Sequence, residues 1–138
     1  MANGMNGFNQ GVIGEFRAND GKTTGPFENQ PLMIMTTTGA KSGMERVIPI
    51  VYTRDGDRIV IAASKGGAPT NPDWYFNIVA HPEVTLELPG ETFKARGTVV
   101  DRAERDRLYA AHAEAMPGFA EYEQKTDRII PVVVLERV

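Results

Sequence analysis

The chain has 138 residues, the size of one compact domain with its own core. Apolar residues make up 41% and charged residues 24%, ordinary globular usage that excludes a wholly disordered or collagen-like chain. The net charge of -3 supplies no field to draw in nucleic acid, and the lack of cysteine excludes disulfides, thiolate-held clusters and thiol nucleophiles and fits a cytoplasmic location.

No run of about 18 apolar residues occurs, and the opening MANGMNGFNQ lacks a basic-then-apolar leader, so neither a spanning helix nor a signal peptide is expected. Met1 to Gly7, rich in Asn and Gly, are expected to fray. Phe8, Val12, Ile13 and Phe16 then fall on one face at helical spacing and predict a short amphipathic helix ending near Asn19-Asp20-Gly21. Leu32 to Thr38 reads as a strand, Gly39 to Gly43 as a turn, Val47 to Thr53 as a second strand, and Arg58 to Ala63 as a third after the Asp-Gly turn at Asp55 and Gly56. Asn71-Pro72 predicts a side-chain cap and first turn for a helix reaching about Ala80. Glu83 to Leu88 and Thr92 to Val100 form a hairpin about Pro89-Gly90. Asp101 with Glu104 matches a capping box for a helix whose apolar face is Leu108, Ala111 and Ala115. Pro117-Gly118 breaks it, a short helix covers Phe119 to Lys125, and a closing strand runs over 129 to 138, with Pro131 placing its first part at an edge or bulge. About six mostly antiparallel strands with three or four short helices predict an α+β domain built as a small, partly open barrel.

Thr36 to Thr70 is the segment richest in chemical signals. It carries five bases against three acids in an acidic chain. Gly39-Ala40-Lys41-Ser42-Gly43 can turn successive N-H groups to one side as an anion cradle, and Ser64-Lys65-Gly66-Gly67 supplies a second one just before a helix N-terminus. Either turn alone is more often structural, and neither GxxxxGK[ST] nor GxGxxG occurs. Together, with Trp74 and Tyr75 following, they suit a flat cofactor that carries anionic groups. His81 and His112 lack partners at metal-ligand spacing and are expected at the surface.

The order TTTGAKSG, then RVIPIVYTRDGDRIVIAASKGGAPTNPDWYFNIVAHPEV, then YEQKTDRIIPVVVLE resembles the deazaflavin-dependent nitroreductase family over roughly residues 30 to 136. The resemblance implies a split β-barrel of the flavin-binding type, the cofactor coenzyme F-420 (8-hydroxy-5-deazaflavin), and hydride transfer to quinones, activated enones or nitro compounds. It implies that Lys41, Ser42 and Arg46 meet the cofactor's phosphate or glutamyl tail, that Pro49 and Val51 lie beneath the cofactor, that Ala62, Ser64, Lys65 and Gly67 form the other cradle, and that Trp74 and Tyr75 flank the ring system. Met116, Phe119 and Tyr122 stand where nitroimidazole-activating members carry tyrosines lining the substrate, which leaves Tyr122 as the candidate proton donor and the wall more apolar. Ala40 replaces the family's Arg beside the first Lys. The alternatives are the same barrel binding FMN and a non-catalytic deazaflavin carrier. Peripheral membrane contact through the Phe8 to Phe16 face is a further option, weakened because Arg17 is the only base in the first 21 residues.

Overall fold

The computed structural model describes residues 7–138, so the fraying expected of residues 1–6 lies outside the described residues, while Gly7 opens a helix. That helix is α1 (Gly7–Ala18), followed by strands β1 (Leu32–Thr38), β2 (Glu45–Val51), β3 (Thr53–Asp55) and β4 (Arg58–Ala62). Then come α2 (Asp73–Ala80), the hairpin β5 (Glu83–Leu88) and β6 (Glu91–Val99), α3 (Arg102–Ala115), α4 (Gly118–Gln124) and β7 (Val132–Arg137). All strand pairs are antiparallel, in the order β2-β1-β5-β6-β7-β4-β3.

The two edges of this sheet, β2 and β3, are consecutive in the chain and separated only by Tyr52. A sheet whose outer strands are halves of one bent segment must roll up, and it makes the expected split barrel. The bend also explains why seven strands form where six were expected: the stretch read as one strand over 47 to 53 divides at Tyr52, whose N-H makes the last bond of the β1 register, to Pro31 O at 3.0 Å, before Thr53 pairs with Val60 of β4.

Alternation along each strand divides the apolar residues between two sides. Met33, Met35, Ile59, Ile61, Leu86, Val133 and Leu135 fill the barrel interior. Their neighbours face outward, Leu32 and Ile34 beneath α1, and Val60, Val132 and Val134 beneath α3 and α4. Trp74 and Ile78 of α2 join the interior cluster. The helix seats there because β6 presents Gly97, where a Cβ would lie 2.8 Å from Ile78 Cγ2 and 3.2 Å from Leu135 Cδ2.

The expected face of α1 is confirmed but fully used: Val12, Ile13 and Phe16 are buried against the barrel, leaving Phe8 exposed beside Phe27. Three of the four residues read as that face are thus turned to the barrel, and Phe8 faces outward. Asp20 adopts φ 54 and Gly21 N donates to Phe16 O at 2.8 Å, the expected left-handed stop. Asp101 caps α3 by accepting from Glu104 N at 3.0 Å, as expected. The buried face of α3 differs from the expected one. Arg105, Leu108, Tyr109 and His112 turn inward, while Ala111 and Ala115 are exposed.

Candidate functional site

The turn between β1 and β2 is shaped by its own hydrogen bonds. Gly39 N donates to Met44 O at 2.8 Å, Gly43 N to Gly39 O at 2.9 Å, and Met44 N to Ser42 Oγ at 3.1 Å. Gly39 is required, because a Cβ there would sit 2.6 Å from Ser42 Oγ. The buried side chain of Asn77 on α2 fixes the turn to the barrel: Oδ1 accepts from Ala40 N at 2.9 Å, and Nδ2 donates to Thr37 Oγ1 at 3.0 Å. These bonds satisfy the N-H groups of residues 39, 40, 43 and 44. Among the described residues, the N-H groups of Lys41 and Ser42 have no partner.

Beside those two groups lies a cavity of about 720 Å³. The turn and Arg46 to Ile48 form one wall, and Asp73, Trp74, Phe76 and Asn77 of α2 form the other. No carboxylate lies within ion-pair distance of Lys41 or Arg46 among the described residues. Two open N-H donors, two unpaired cations, the Ser42 hydroxyl proton and an aromatic wall make a site for a planar molecule with an anionic arm. Asp73 is the one acid on the wall, and it limits how close a second anionic group can come to α2.

The second turn has a different setting. Lys65, Gly66 and Gly67 adopt φ of 48, 64 and 84 in succession. A Cβ on Gly67 would lie 2.9 Å from Tyr122 O and 2.8 Å from Lys125 Cβ, so the turn rests directly on α4. Ser64 is 7% exposed, and Lys65 Nζ donates to Thr70 Oγ1 at 3.3 Å.

The residues singled out from the sequence therefore fall into two groups. Lys41, Ser42, Arg46 and Trp74 line the cavity. Val51, Ala62, Met116, Phe119 and Tyr122 share the apolar cluster between the barrel and α3 and α4, with Ser64, Lys65 and Gly67 at its border. Pro49 is half-buried on β2, on the same face as Val51 by alternation. Tyr75 packs against the interior cluster and edge-on to Phe76, ring centroids 5.4 Å apart. Met116 and Phe119, expected on an acceptor wall, are only 7% and 9% exposed and serve as core between α3 and α4. Tyr122 is half-buried, its ring edge-on to Phe119 at 5.2 Å with Lys125 Nζ 5.9 Å from its centroid.

Two residues at the site and one nearby escaped the sequence reading. Asn77 follows Trp74 and precedes Ile78 on the inward face of α2, a polar residue at core spacing that signals a satisfied buried amide. Arg128 donates through Nε to Ala68 O at 2.9 Å, through Nη1 to Asn71 Oδ1 at 2.6 Å and through Nη2 to Ser64 O at 2.8 Å. Asn71 is thus held by Arg128 rather than capping α2, whose N-cap is Pro72. His112 is buried, not at the surface: it is 0% exposed, Nδ1 lies 2.7 Å from Thr53 Oγ1, Nε2 has no partner among the described residues, and Phe119 packs edge-on at 4.4 Å. Burial pushes its pKa down to about 4, so it is neutral near pH 7.

A family model described as F420H(2)-dependent quinone reductase matches residues 12–137. The chain belongs to that family. An F420H(2)-dependent quinone reductase of Mycobacterium tuberculosis (strain ATCC 25618 / H37Rv) is 38% identical over 110 residues, covering 78% of this chain and 74% of the relative. A solved F420-H2 dependent reductase superposes with a TM-score of 0.70 at 38% identity, over 77% of this chain and 94% of the other. Another solved chain, described as a domain-swapped dimer, has a TM-score of 0.71 at 38% identity over 77% of this chain and 80% of that one. The protein is an oxidoreductase with coenzyme F-420 as its redox cofactor, and the family's reaction is hydride transfer from the reduced coenzyme to a quinone. The quinone is one of the three acceptor classes implied by the sequence resemblance. No helix among the described residues is long and apolar enough to cross a membrane.

Proposed function

We propose that this chain carries out quinone reduction with the coenzyme's charged arm held by the 39–44 turn. The observation that carries this reading is the pairing of two N-H groups, at Lys41 and Ser42, with two cations, all without partners among the described residues. Charge-assisted hydrogen bonds to phosphate or carboxylate oxygens are about twice as strong as neutral ones, and the site offers donors of that kind in one place. When bound, the reduced deazaflavin supplies the hydride.

The remaining chemistry belongs to the protein. Trp74, held by the barrel interior, gives the cavity a rigid aromatic wall, and Phe76 adds apolar surface that excludes water from a flat ligand. Ser64, Lys65 and Gly67 form the second contact, and Pro49, Val51, Ala62 and Tyr75 the apolar bed between them. Tyr122 stands on α4, the helix on which that second contact rests. It would donate a proton from its phenol oxygen to the reduced acceptor oxygen. Met116 and Phe119 support Tyr122 from behind, so their effect on the acceptor is through its ring position.

Titration with oxidised coenzyme F-420, followed by its fluorescence, tests the site. Lys41→Ala should weaken binding about tenfold, the loss of one charge-assisted contact, and should flatten its salt dependence. Unchanged affinity and unchanged salt dependence would remove the 39–44 turn from coenzyme binding. Turnover of Tyr122→Phe decides the proton donor: an undiminished rate with a quinone would mean that solvent supplies the proton.

A further inference from the structure

The segment from Ser64 to Asn71 is tied within itself by Gly67 N to Ser64 O at 3.0 Å, Ala68 N to Lys65 O at 3.1 Å and Lys65 Nζ to Thr70 Oγ1 at 3.3 Å. Three successive residues lie in the left-handed region, and one of them, Lys65, has a side chain that disfavours it. The segment holds a single 3-10 turn over Lys65–Gly67, with Ser64 buried and Gly67 packed against α4. What spans it is one side chain from the far end of the chain. The fork of Arg128 reaches Ser64 O, Ala68 O and Asn71 Oδ1, the beginning, middle and end of the segment.

We propose that Arg128 is a positioning residue that presets the 64–71 segment for the coenzyme and lends it an uncancelled positive charge. All three acceptors are neutral dipoles, and no carboxylate pairs with Arg128 among the described residues. Arg58 and Arg105, by contrast, both end on carboxylates. The guanidinium of Arg128 therefore braces the loop and also keeps its full charge beside Lys65, where an anionic ligand group would feel both. Lysine cannot replace it, since a single ammonium cannot span three acceptors set along eight residues. The same brace fixes Gly67 against Tyr122 O, so the loop and the candidate proton donor move as one unit.

This inference rests on the reading of 64–67 as a coenzyme contact, and the experiment separates the two. Hydrogen exchange measured on the full chain without coenzyme reads the brace alone. In Arg128→Lys, the amides of 64–71 should exchange at least about tenfold faster while those of β1 and β5 stay unchanged. Affinity for oxidised coenzyme F-420 should fall about tenfold, and the KM for the reduced coenzyme should rise with little change in the KM for quinone. Millimolar guanidinium should restore affinity to Arg128→Ala and should do nothing for Lys65→Ala. Asn71→Ala, which removes one acceptor and leaves the arginine in place, should show the same exchange pattern in weaker form, and it serves if Arg128→Ala does not fold. Unchanged exchange at 64–71 in both variants overturns the brace. Faster exchange with unchanged coenzyme affinity in Arg128→Lys overturns its role toward the coenzyme. Unchanged affinity in Lys65→Ala would instead overturn the assignment of the 64–67 turn.

Discussion

The two ends of the sheet's bent edge segment handle charge in opposite ways. Around β3 and α3, acids and bases pair with each other. Arg58 meets Asp55 and Glu104, Arg107 meets the same two carboxylates, and Arg105 meets Asp106 and Glu123. The pairing holds the carboxyl of Asp55 at a pKa of about 2 and lowers that of Glu104, through hydrogen bonds from Arg107 and Arg58. Around the start of β2, Lys41 and Arg46 line a cavity whose one acid is Asp73, and neither forms an ion pair among the described residues. A network that has found its partners offers little to a ligand, while cations left unpaired beside a cavity attract one. The net charge of the chain hides this, because it sums the two regions.

The strongest way to break the contrast is to give the cavity the character of the α3 face. Lys41→Glu combined with Arg46→Glu should reduce coenzyme affinity by at least about 100-fold, since two charge-assisted contacts become two repulsions. Thermal stability should change little, because neither residue makes an ion pair among the described residues. A titration showing less than about threefold loss would mean that the contrast in charge has no bearing on the coenzyme.

The cavity half of this contrast was more legible in the sequence than the network half. Strands β1, β4, β5 and β7 follow from alternation and apolar runs, and Gly39 to Gly43 announces its turn through glycine. Lys41, Ser42, Arg46 and Trp74, taken from motif resemblance, do line one cavity. What escaped depends on distant partners. Closure of the barrel at Tyr52 needs Val51 to pair with β1 and Thr53 with β4, and no local pattern marks a one-residue break between two strands. His112 was misplaced because the apolar face of α3 was anchored on Ala111 and Ala115. Alanine is a poor guide to helix phase, being at home on either side, and the larger Tyr109 decides the inward face instead. Arg128 looks like any surface base before a strand until its three acceptors, 57 to 64 residues away, are in place.

The link between the barrel and the cavity can be sharpened at Asn77. Asn77→Leu keeps the volume nearly constant but leaves Ala40 N and Thr37 Oγ1 without their partners. It should lower unfolding free energy by about 2 to 4 kcal/mol in urea titrations, and coenzyme affinity should fall with it as the turn loosens. Loss of stability with full retention of affinity would show that the turn holds its shape without α2.

A smaller effect is expected at His112, on the network side. Its pKa is about 4 in the folded protein and 6.5 ordinarily, so between these values the unfolded chain binds a proton that the folded chain does not. Stability contributed by the neutral ring is present above pH 6.5 and declines as pH falls toward 4, by at most roughly 3 kcal/mol. The lowered carboxyl pKa values of Asp55, Glu104 and Asp106 act in the same direction, but only below about pH 4.5. Urea titrations at several pH values between 7.5 and 5 should therefore show a decline in the native chain that is absent in His112→Gln. An equal slope in both would assign the decline to other groups.

The smallest effect should come from the surface network itself. Arg107 is 55% exposed at its side chain, and its partners Asp55 and Glu104 each keep Arg58 when it is removed. Exposed ion pairs are worth about 0 to 1 kcal/mol, so Arg107→Ala should shift stability by less than about 1 kcal/mol, with the shift shrinking at high salt. Coenzyme affinity should not change, because Arg107 lines the separate hollow between β3 and α3 and has no contact with the cavity at the 39–44 turn. A clear loss of coenzyme affinity in this variant would carry more weight than the stability value. It would mean that charge on the α3 face reaches the coenzyme, and that the paired and unpaired regions form one field rather than two.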